Sequence, residues 1–165
     1  MSYRSEISLA AMFTLACLVS TRAELRPGDP MPTLESAVVP GQGIPSTEGR
    51  VVLLDFWASW CAPCKASFPM FARLHTEYSE RGLVIIAVGV DETTSAHEAF
   101  LRKLDPPFHT FRDRDRKIVQ TVQVPAMPTS YLFGRDGRLR FIHTGYHGKS
   151  TEAALRDQLE ALLVE

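Results

Sequence analysis

Two cysteines in the run Trp60-Cys61-Ala62-Pro63-Cys64 carry the most specific chemistry in this sequence. They follow closely on the apolar stretch Val51-Val52-Leu53-Leu54-Asp55-Phe56-Trp57, so the pair falls where a buried strand ends and a helix begins. Two intervening residues let the sulfurs meet across the first helical turn. Amides at a helix N-terminus stabilise a thiolate and depress its pKa, which makes Cys61 the expected attacking sulfur. Cys64, one turn deeper, is the expected resolving thiol that attacks a mixed disulfide and releases the product. Two other readings compete. A zinc site needs a second pair of soft ligands, which the sequence lacks, and inert core cysteines have no need of a proline-bearing helix start. A Cys-x-x-Cys at a strand-to-helix junction reads as a redox pair.

Asp55 stands six residues before Cys61, inside the apolar run. Burial there penalises the charged form, so its pKa is expected to rise. An acid of that kind near the deeper sulfur takes the proton from Cys64 as the thiol attacks, and returns it in the reverse direction. An Asp tucked against backbone amides at a strand end is the competing reading.

The elements that must position these residues follow from hydrophobic period. Val51–Trp57 and Leu83–Val90 are continuous apolar runs, expected as central strands joined by a parallel crossover through a helix. That helix carries Phe68, Phe71, Leu74 and Tyr78 on one face, ends at Gly82, and contains Pro69, which should kink it near Lys65. Residues 24–50 form a Pro- and Gly-rich extension with one short strand over Leu34–Val39. A helix is expected over Ser95–Leu104, stopped by Pro106-Pro107, and a short helix or connector over Lys117–Val124. Thr129–Phe133 and Arg138–Thr144 read as a hairpin around Gly134-Arg135-Asp136-Gly137. Ser150 or Thr151 caps a last helix with Leu155, Leu159, Leu162 and Leu163 inside. The mixed-sign clusters Arg112–Arg116 and Arg135–Arg138 read as surface turns. The sum is one α/β domain over residues 24–165, with a central mixed β-sheet.

Residues 1–23 differ from the rest. Arg4 precedes Ile7–Val19, a stretch nearly free of charge and shorter than the roughly 20 residues a membrane-spanning helix needs, and Ala23 offers a small residue for cleavage. This segment is expected to be a signal peptide or N-terminal anchor, with lipidation at Cys17 as a third option, which places the domain in the periplasm or cell envelope. Its removal leaves Cys61 and Cys64 as the only cysteines of the three. A formal net charge of −1, with no basic run, offers no field for nucleic acid.

The chain resembles thioredoxin-like thiol:disulfide oxidoreductases, more narrowly the exported bacterial TlpA/ResA-like branch. The likeness covers roughly residues 27–164 and rests on Phe56-Trp57-Ala58-Ser59-Trp60-Cys61-Ala62-Pro63-Cys64-Lys65, on Pro69, and on Met127-Pro128-Thr129 followed by Ser130-Tyr131-Leu132-Phe133. It implies a thioredoxin-like fold with helices on both faces of the sheet, and a cis-proline at Pro128 facing the cysteine pair, X-Pro being the bond for which cis is cheap. Met127 and Thr129 would then flank a substrate groove, where backbone beside Pro128 pairs with an extended substrate strand. Trp60 is expected on an apolar rim for partners, and Trp57 beneath the motif. The resemblance also assigns the proton-transfer role to Asp55. Two departures stand out: Ser67 occupies the helix position where many relatives carry Glu, and Ala87 roughly occupies the place of a Lys found near the buried Asp in thioredoxins.

The resulting expectation is an enzyme without metal or organic cofactor, monomeric, acting on protein thiols and disulfides. As a dedicated reductant, for example in cytochrome c or copper-site maturation, it would be recharged by a membrane thiol donor. A thiol peroxidase of the same superfamily is one alternative. A copper-delivery module using the cysteine pair, with His143 or His147 as nominal partners, is another.

Overall fold

The computed structural model describes residues 24–35 and 43–165, and the expected leader at residues 1–23 lies outside them. Every residue of β1 (Val51–Trp57) is buried, as a run apolar on both faces demands. β2 (Leu83–Gly89) is buried throughout as well and lies parallel to β1, from Val51 beside Leu83 to Trp57 beside Gly89. The five strands are ordered β3-β2-β1-β4-β5, with β3 (His109–Arg112) parallel to β2 on one side. On the other, β4 (Thr129–Phe133) runs antiparallel to β1, and β5 (Leu139–Thr144) antiparallel to β4. The sheet is therefore mixed.

Side-chain alternation divides the core into two layers. Leu53, Trp57, Ile85 and Leu132 face α1 (Ala62–Tyr78), α2 (Thr94–Leu104) and α4 (Lys149–Leu163). Leu54, Phe56, Ile86 and Tyr131 face α3 (Lys117–Val122) and Leu34 of the N-terminal segment. Helices thus cover both faces. Under the end of β1 the first layer is aromatic: Trp57 stacks at 4.5 Å on Phe100 and meets Phe68 at 5.0 Å, and Phe68 meets Phe108 at 5.4 Å. Ion pairs tie α4 to α1, Arg73 to Glu152 at 2.6 Å and Arg156 to Glu77, while Arg81 just past α1 holds Glu160 at 2.7 Å. All are exposed and contribute little each.

Several expectations need correction. The α1 helix stops at Tyr78 and continues as a 3₁₀ turn over Ser79–Arg81 before Gly82 reverses the chain at φ +111°. Pro69 lies inside it, as the sequence reading has it. Leu34 is buried but not in a strand, and residues 36–39 of the expected strand lie outside the described residues; the segment is instead tied to the start of β5 by an isolated bridge of Pro30 to Arg138, with the Gly28 and Met31 N–H groups donating to the Leu139 and Gly137 carbonyls and the Leu139 N–H to the Asp29 carbonyl. β3 has no counterpart in the sequence reading. Gly148, not Ser150 or Thr151, is the N-cap of α4; Thr151 Oγ1 instead accepts the His147 N–H, and Ser150 donates to the His147 carbonyl. The Arg112–Arg116 turn is present, closed by the Arg116 N–H on the Asp113 carbonyl, but the Asp113 side chain is fully buried and its Oδ2 accepts the Val119 N–H in the first turn of α3. Arg135 likewise ties segments together, donating to the carbonyls of Gly49, Arg81 and Leu163.

Phe68 joins the aromatic layer to α1, and truncation leaves a hole beneath the cysteine motif. Phe68→Ala is expected to lower unfolding free energy by about 3–5 kcal/mol, read from urea titration of the oxidised protein. A change below about 1 kcal/mol would show that this layer does not hold the helix.

Candidate functional site

The chain leaves β1 at Trp57, turns through Ala58–Trp60 and enters α1 at Ala62. Cys61 is the N-cap of that helix, its backbone N–H donating to the Ala58 carbonyl and its Sγ accepting the Cys64 N–H at 3.2 Å. Pro63 fits the first turn because an N–H there has no intrahelical partner. Cys61 and Cys64 are joined in a disulfide, with Cα atoms 5.3 Å apart. Cys64 is completely buried and Cys61 is 5% exposed, whereas Ala62 and Pro63 between them are open to solvent. The helix N-terminus and the Cys64 amide both point at Cys61 Sγ, so negative charge arising on reduction is favoured on that sulfur.

Beneath the pair, Asp55 lies on the same face of β1 as Leu53 and Trp57, the face that packs on α1. Its neighbours across the sheet are Ala87 on β2 and Ser130 on β4. Ser130 Oγ donates to Asp55 Oδ1 at 2.6 Å, and Oδ2 is buried without a hydrogen-bond partner among the described residues. Burial pushes the Asp55 pKa up to about 8, against which the Ser130 hydrogen bond pulls only weakly, and no neighbouring cation contributes. Ala87 stands where a longer basic side chain would have supplied one. Ser67, one turn after Cys64, is buried and donates to the Cys64 carbonyl at 2.9 Å.

The register of β4 sets Thr129 opposite Phe56, which brings the residues before it to the sheet end where β1 delivers Cys61. The Met127–Pro128 peptide is cis. Thr129 Oγ1 closes the approach by donating to the Ala126 carbonyl, and the Pro128 carbonyl accepts from Gly145. Pro128 and Thr129 are buried, Met127 half-buried, and the Met127 N–H and carbonyl make no hydrogen bond among the described residues. Trp60 is 68% exposed, and Trp57 is fully buried. The histidines offered for copper lie apart from the pair in their contacts: His143 Nε2 meets Gln158 Oε1 at 2.8 Å, and His147 packs by Gly145.

Sequence reasoning did not single out Asp91, Ser59 and His97 as a unit. Asp91 follows β2 and is 2% exposed; Oδ1 accepts the Ser59 hydroxyl at 2.7 Å, and both its oxygens accept the Ser59 N–H. This fixes the turn before Cys61 to the neighbouring strand end, together with the Val90 N–H on the Trp57 carbonyl. The His97 ring stacks on Trp57 at 5.0 Å with Nδ1 3.7 Å from Asp91, and burial lowers its pKa although Asp91 opposes the shift. Only glycine fits at 89, because a Cβ there would lie 2.6 Å from the His97 ring. The signal was an acid directly after an apolar strand, at the same sheet end as the cysteines.

The AhpC/TSA family matches residues 27–142. The chain belongs to the AhpC/TSA family. Within it, the chain is 38% identical over 92 residues to a thiol-disulfide oxidoreductase ResA of Bacillus cereus, covering 56% of this chain and 53% of that one. It is 33% identical over 115 residues to ResA of Bacillus thuringiensis subsp. konkukian, covering 70% and 65%. The chain therefore spans between about half and two thirds of the length of these relatives. A Chlorobium tepidum structure, provisionally assigned as the thiol:disulfide interchange protein DsbE, superposes with a TM-score of 0.74 at 30% identity, covering 85% of this chain and 99% of that one. The AhpC/TSA chain described here thus has the thioredoxin-like α/β fold, and its TlpA/ResA-like resemblance is borne out by relatives of that name.

Asp55 binds its proton more tightly folded than unfolded, since burial raises its pKa from 3.8 to about 8. The stabilisation from that proton is complete below the unfolded value and is lost as pH climbs through about 8. Relative to Asp55→Asn, the oxidised protein is expected to lose on the order of a few kcal/mol of unfolding free energy between pH 5 and pH 9. A pH-independent difference between the two would place Asp55 in a solvated setting.

Proposed function

We propose that this protein is an exported thiol:disulfide oxidoreductase that reduces protein disulfides and is itself re-reduced by a membrane thiol donor. The observation that carries the reading is the Cys61–Cys64 disulfide spanning the first turn of α1, with Cys61 at the helix N-cap and Cys64 sealed behind it. The names of the ResA and DsbE relatives support the same reaction, and the expected leader at residues 1–23 supports export to the periplasm or cell envelope. Maturation of cytochrome c or copper-site thiols is the proposed setting, with residues 24–165 working as a monomeric domain.

In the dithiol state the Cys61 thiolate attacks one sulfur of a substrate disulfide. A Cys61–substrate disulfide forms, the substrate S–S bond breaks, and the departing substrate thiolate takes a proton from solvent. Asp55, once its own proton has gone to solvent, accepts the Cys64 proton, and the Cys64 thiolate attacks Cys61 Sγ; the bond from Cys61 to the second substrate sulfur breaks, and that sulfur leaves as a thiolate and takes a proton from solvent. The substrate gains two electrons and two protons, and the protein is left as the disulfide present in the structure. An acid titrating near 8 is mostly protonated at neutral pH, ready to donate in the reverse direction, and keeps a minority ionised form that takes the Cys64 proton in the forward one. Met127, with unpaired backbone groups beside the cis bond to Pro128, aligns the substrate chain as an added strand; Thr129 sets that turn and Trp60 provides apolar contact. Among the described residues no arginine donates to Cys61, so the sulfur faces a disulfide partner without the guanidinium a peroxide would call for.

Asp55→Asn is expected to slow resolution of a Cys61 mixed disulfide by about a hundredfold at pH 7, followed in stopped flow with a disulfide-linked peptide. An unchanged rate would remove Asp55 from the reaction. Cys64→Ser, expressed in the cell envelope, should accumulate mixed disulfides on Cys61 with protein substrates and a membrane donor, identified by mass spectrometry. Capture no greater than from Cys61→Ser would overturn the exchange function.

A further inference from the structure

A cleft of about 330 Å³ opens beside the turn that leads into Cys61, between the start of α1 and the exposed face of α2. Ser59 forms its near wall, two residues before the attacking sulfur. Its floor is apolar: Ala96, Ala99, Phe100 and Leu104 follow one another along α2 at the three- and four-residue spacing of a single helix face. A smaller depression continues it past Leu104 towards Phe68 and Pro69 of α1. Its charged lining is of one sign. Lys65 of α1 and Lys103 of α2 border the cleft, and neither enters an ion pair among the described residues. The carboxylate on that stretch of α2, Glu98, is paired with Arg102.

Apolar lining rimmed by two unpaired cations fits an apolar side chain with carboxylates beside it. We propose that this cleft docks the partner polypeptide through an acidic-apolar segment, one large aliphatic residue flanked by Asp or Glu, adjacent to the cysteine that is attacked. The inference rests on the oxidoreductase reading above and names the substrate class for that same site. The cleft is lined by Ser59 and Lys65 and not by Met127, so it adds a second determinant of partner choice.

The test uses two synthetic peptides oxidised to disulfide-linked dimers. Each carries a Leu near its Cys, flanked in one by Glu and in the other by Lys. The reduced full chain is mixed with each, and kcat/KM is compared at low and high salt. The acidic peptide is expected to be preferred roughly fivefold at low salt, the preference shrinking at high salt. Lys103→Glu is expected to bring the ratio to one or reverse it, and Lys103→Gln to give an intermediate value. Replacing the Leu of the acidic peptide by Ser should lower its kcat/KM severalfold, since the floor is apolar. Equal rates for both peptides in the native protein, or a ratio unmoved by Lys103→Glu, would overturn the docking proposal while ordinary exchange with oxidised dithiothreitol leaves the redox reading intact. A preference that appears only at high protein concentration would assign the cleft to a second copy, and also overturn it. Failure of the native pair to exchange with dithiothreitol at all would instead bring down the oxidoreductase reading.

Discussion

The site is governed by the burial of β1 on both faces along its whole length. A strand so enclosed has its direction and register fixed by the rows of Leu, Val and Phe on each side, because a slip of one residue would carry each row into the opposite layer. The residue that leaves its end is therefore delivered to a defined place, and that residue leads into Cys61. The same enclosure acts on Asp55. In the middle of such a strand an ionised carboxylate loses nearly all its hydration, and a single hydroxyl from Ser130 does not replace it. The proton stays on until well above the usual carboxylate range. One constraint thus places Cys61 and raises the proton affinity of Asp55.

Precision at the sulfur needs more than the strand. The turn Ala58–Trp60 has no regular structure of its own, and it is Asp91, from the next strand end, that takes up its amide and hydroxyl donors. His97 completes that contact by stacking on Trp57, which requires the missing side chain at Gly89. Beyond this fixed turn the chain enters α1, whose Cys64 amide points back at Cys61. Rigid support on the inner side contrasts with the outer, where Trp60 stands exposed beside the solvent-open Ala62 and Pro63.

The elements legible in the sequence were β1 and β2 as apolar runs, β4 and β5 as strands on either side of a hairpin turn, and α1 and α4 by their Leu and Phe spacing. Those that failed to show were specified by tertiary contact. β3 is an edge strand in which only Phe111 is buried, so His109-Thr110-Phe111-Arg112 carries no periodic signal. Asp113 sits in a run of alternating charge that looks solvated, and becomes a buried cap only because α3 folds back over it. The α4 cap misled because Ser150 and Thr151 bond to His147 and not to the helix amides. At the site the cysteines and Asp55 were visible as exceptions to their surroundings, chemistry-bearing residues in or beside apolar sequence. Asp91 was not, since an acid after a strand is also ordinary turn composition.

Reaction and recognition are separated in this architecture. The groups that set proton affinity, Asp55 with Ser130 and the helix end at Cys61, lie inside or at the edge of the core, where each substitution also disturbs packing. The groups proposed to meet a partner, Trp60, the Met127 backbone, Lys65 and Lys103, lie at or near the surface, outside the packed interior. Charge on that outer layer acts through solvent over roughly 10 Å and falls with salt, whereas the Asp55 shift arises from desolvation and is little screened. Partner preference can therefore change by substitution on the rim of α2 while the proton chemistry beneath the disulfide stays the same.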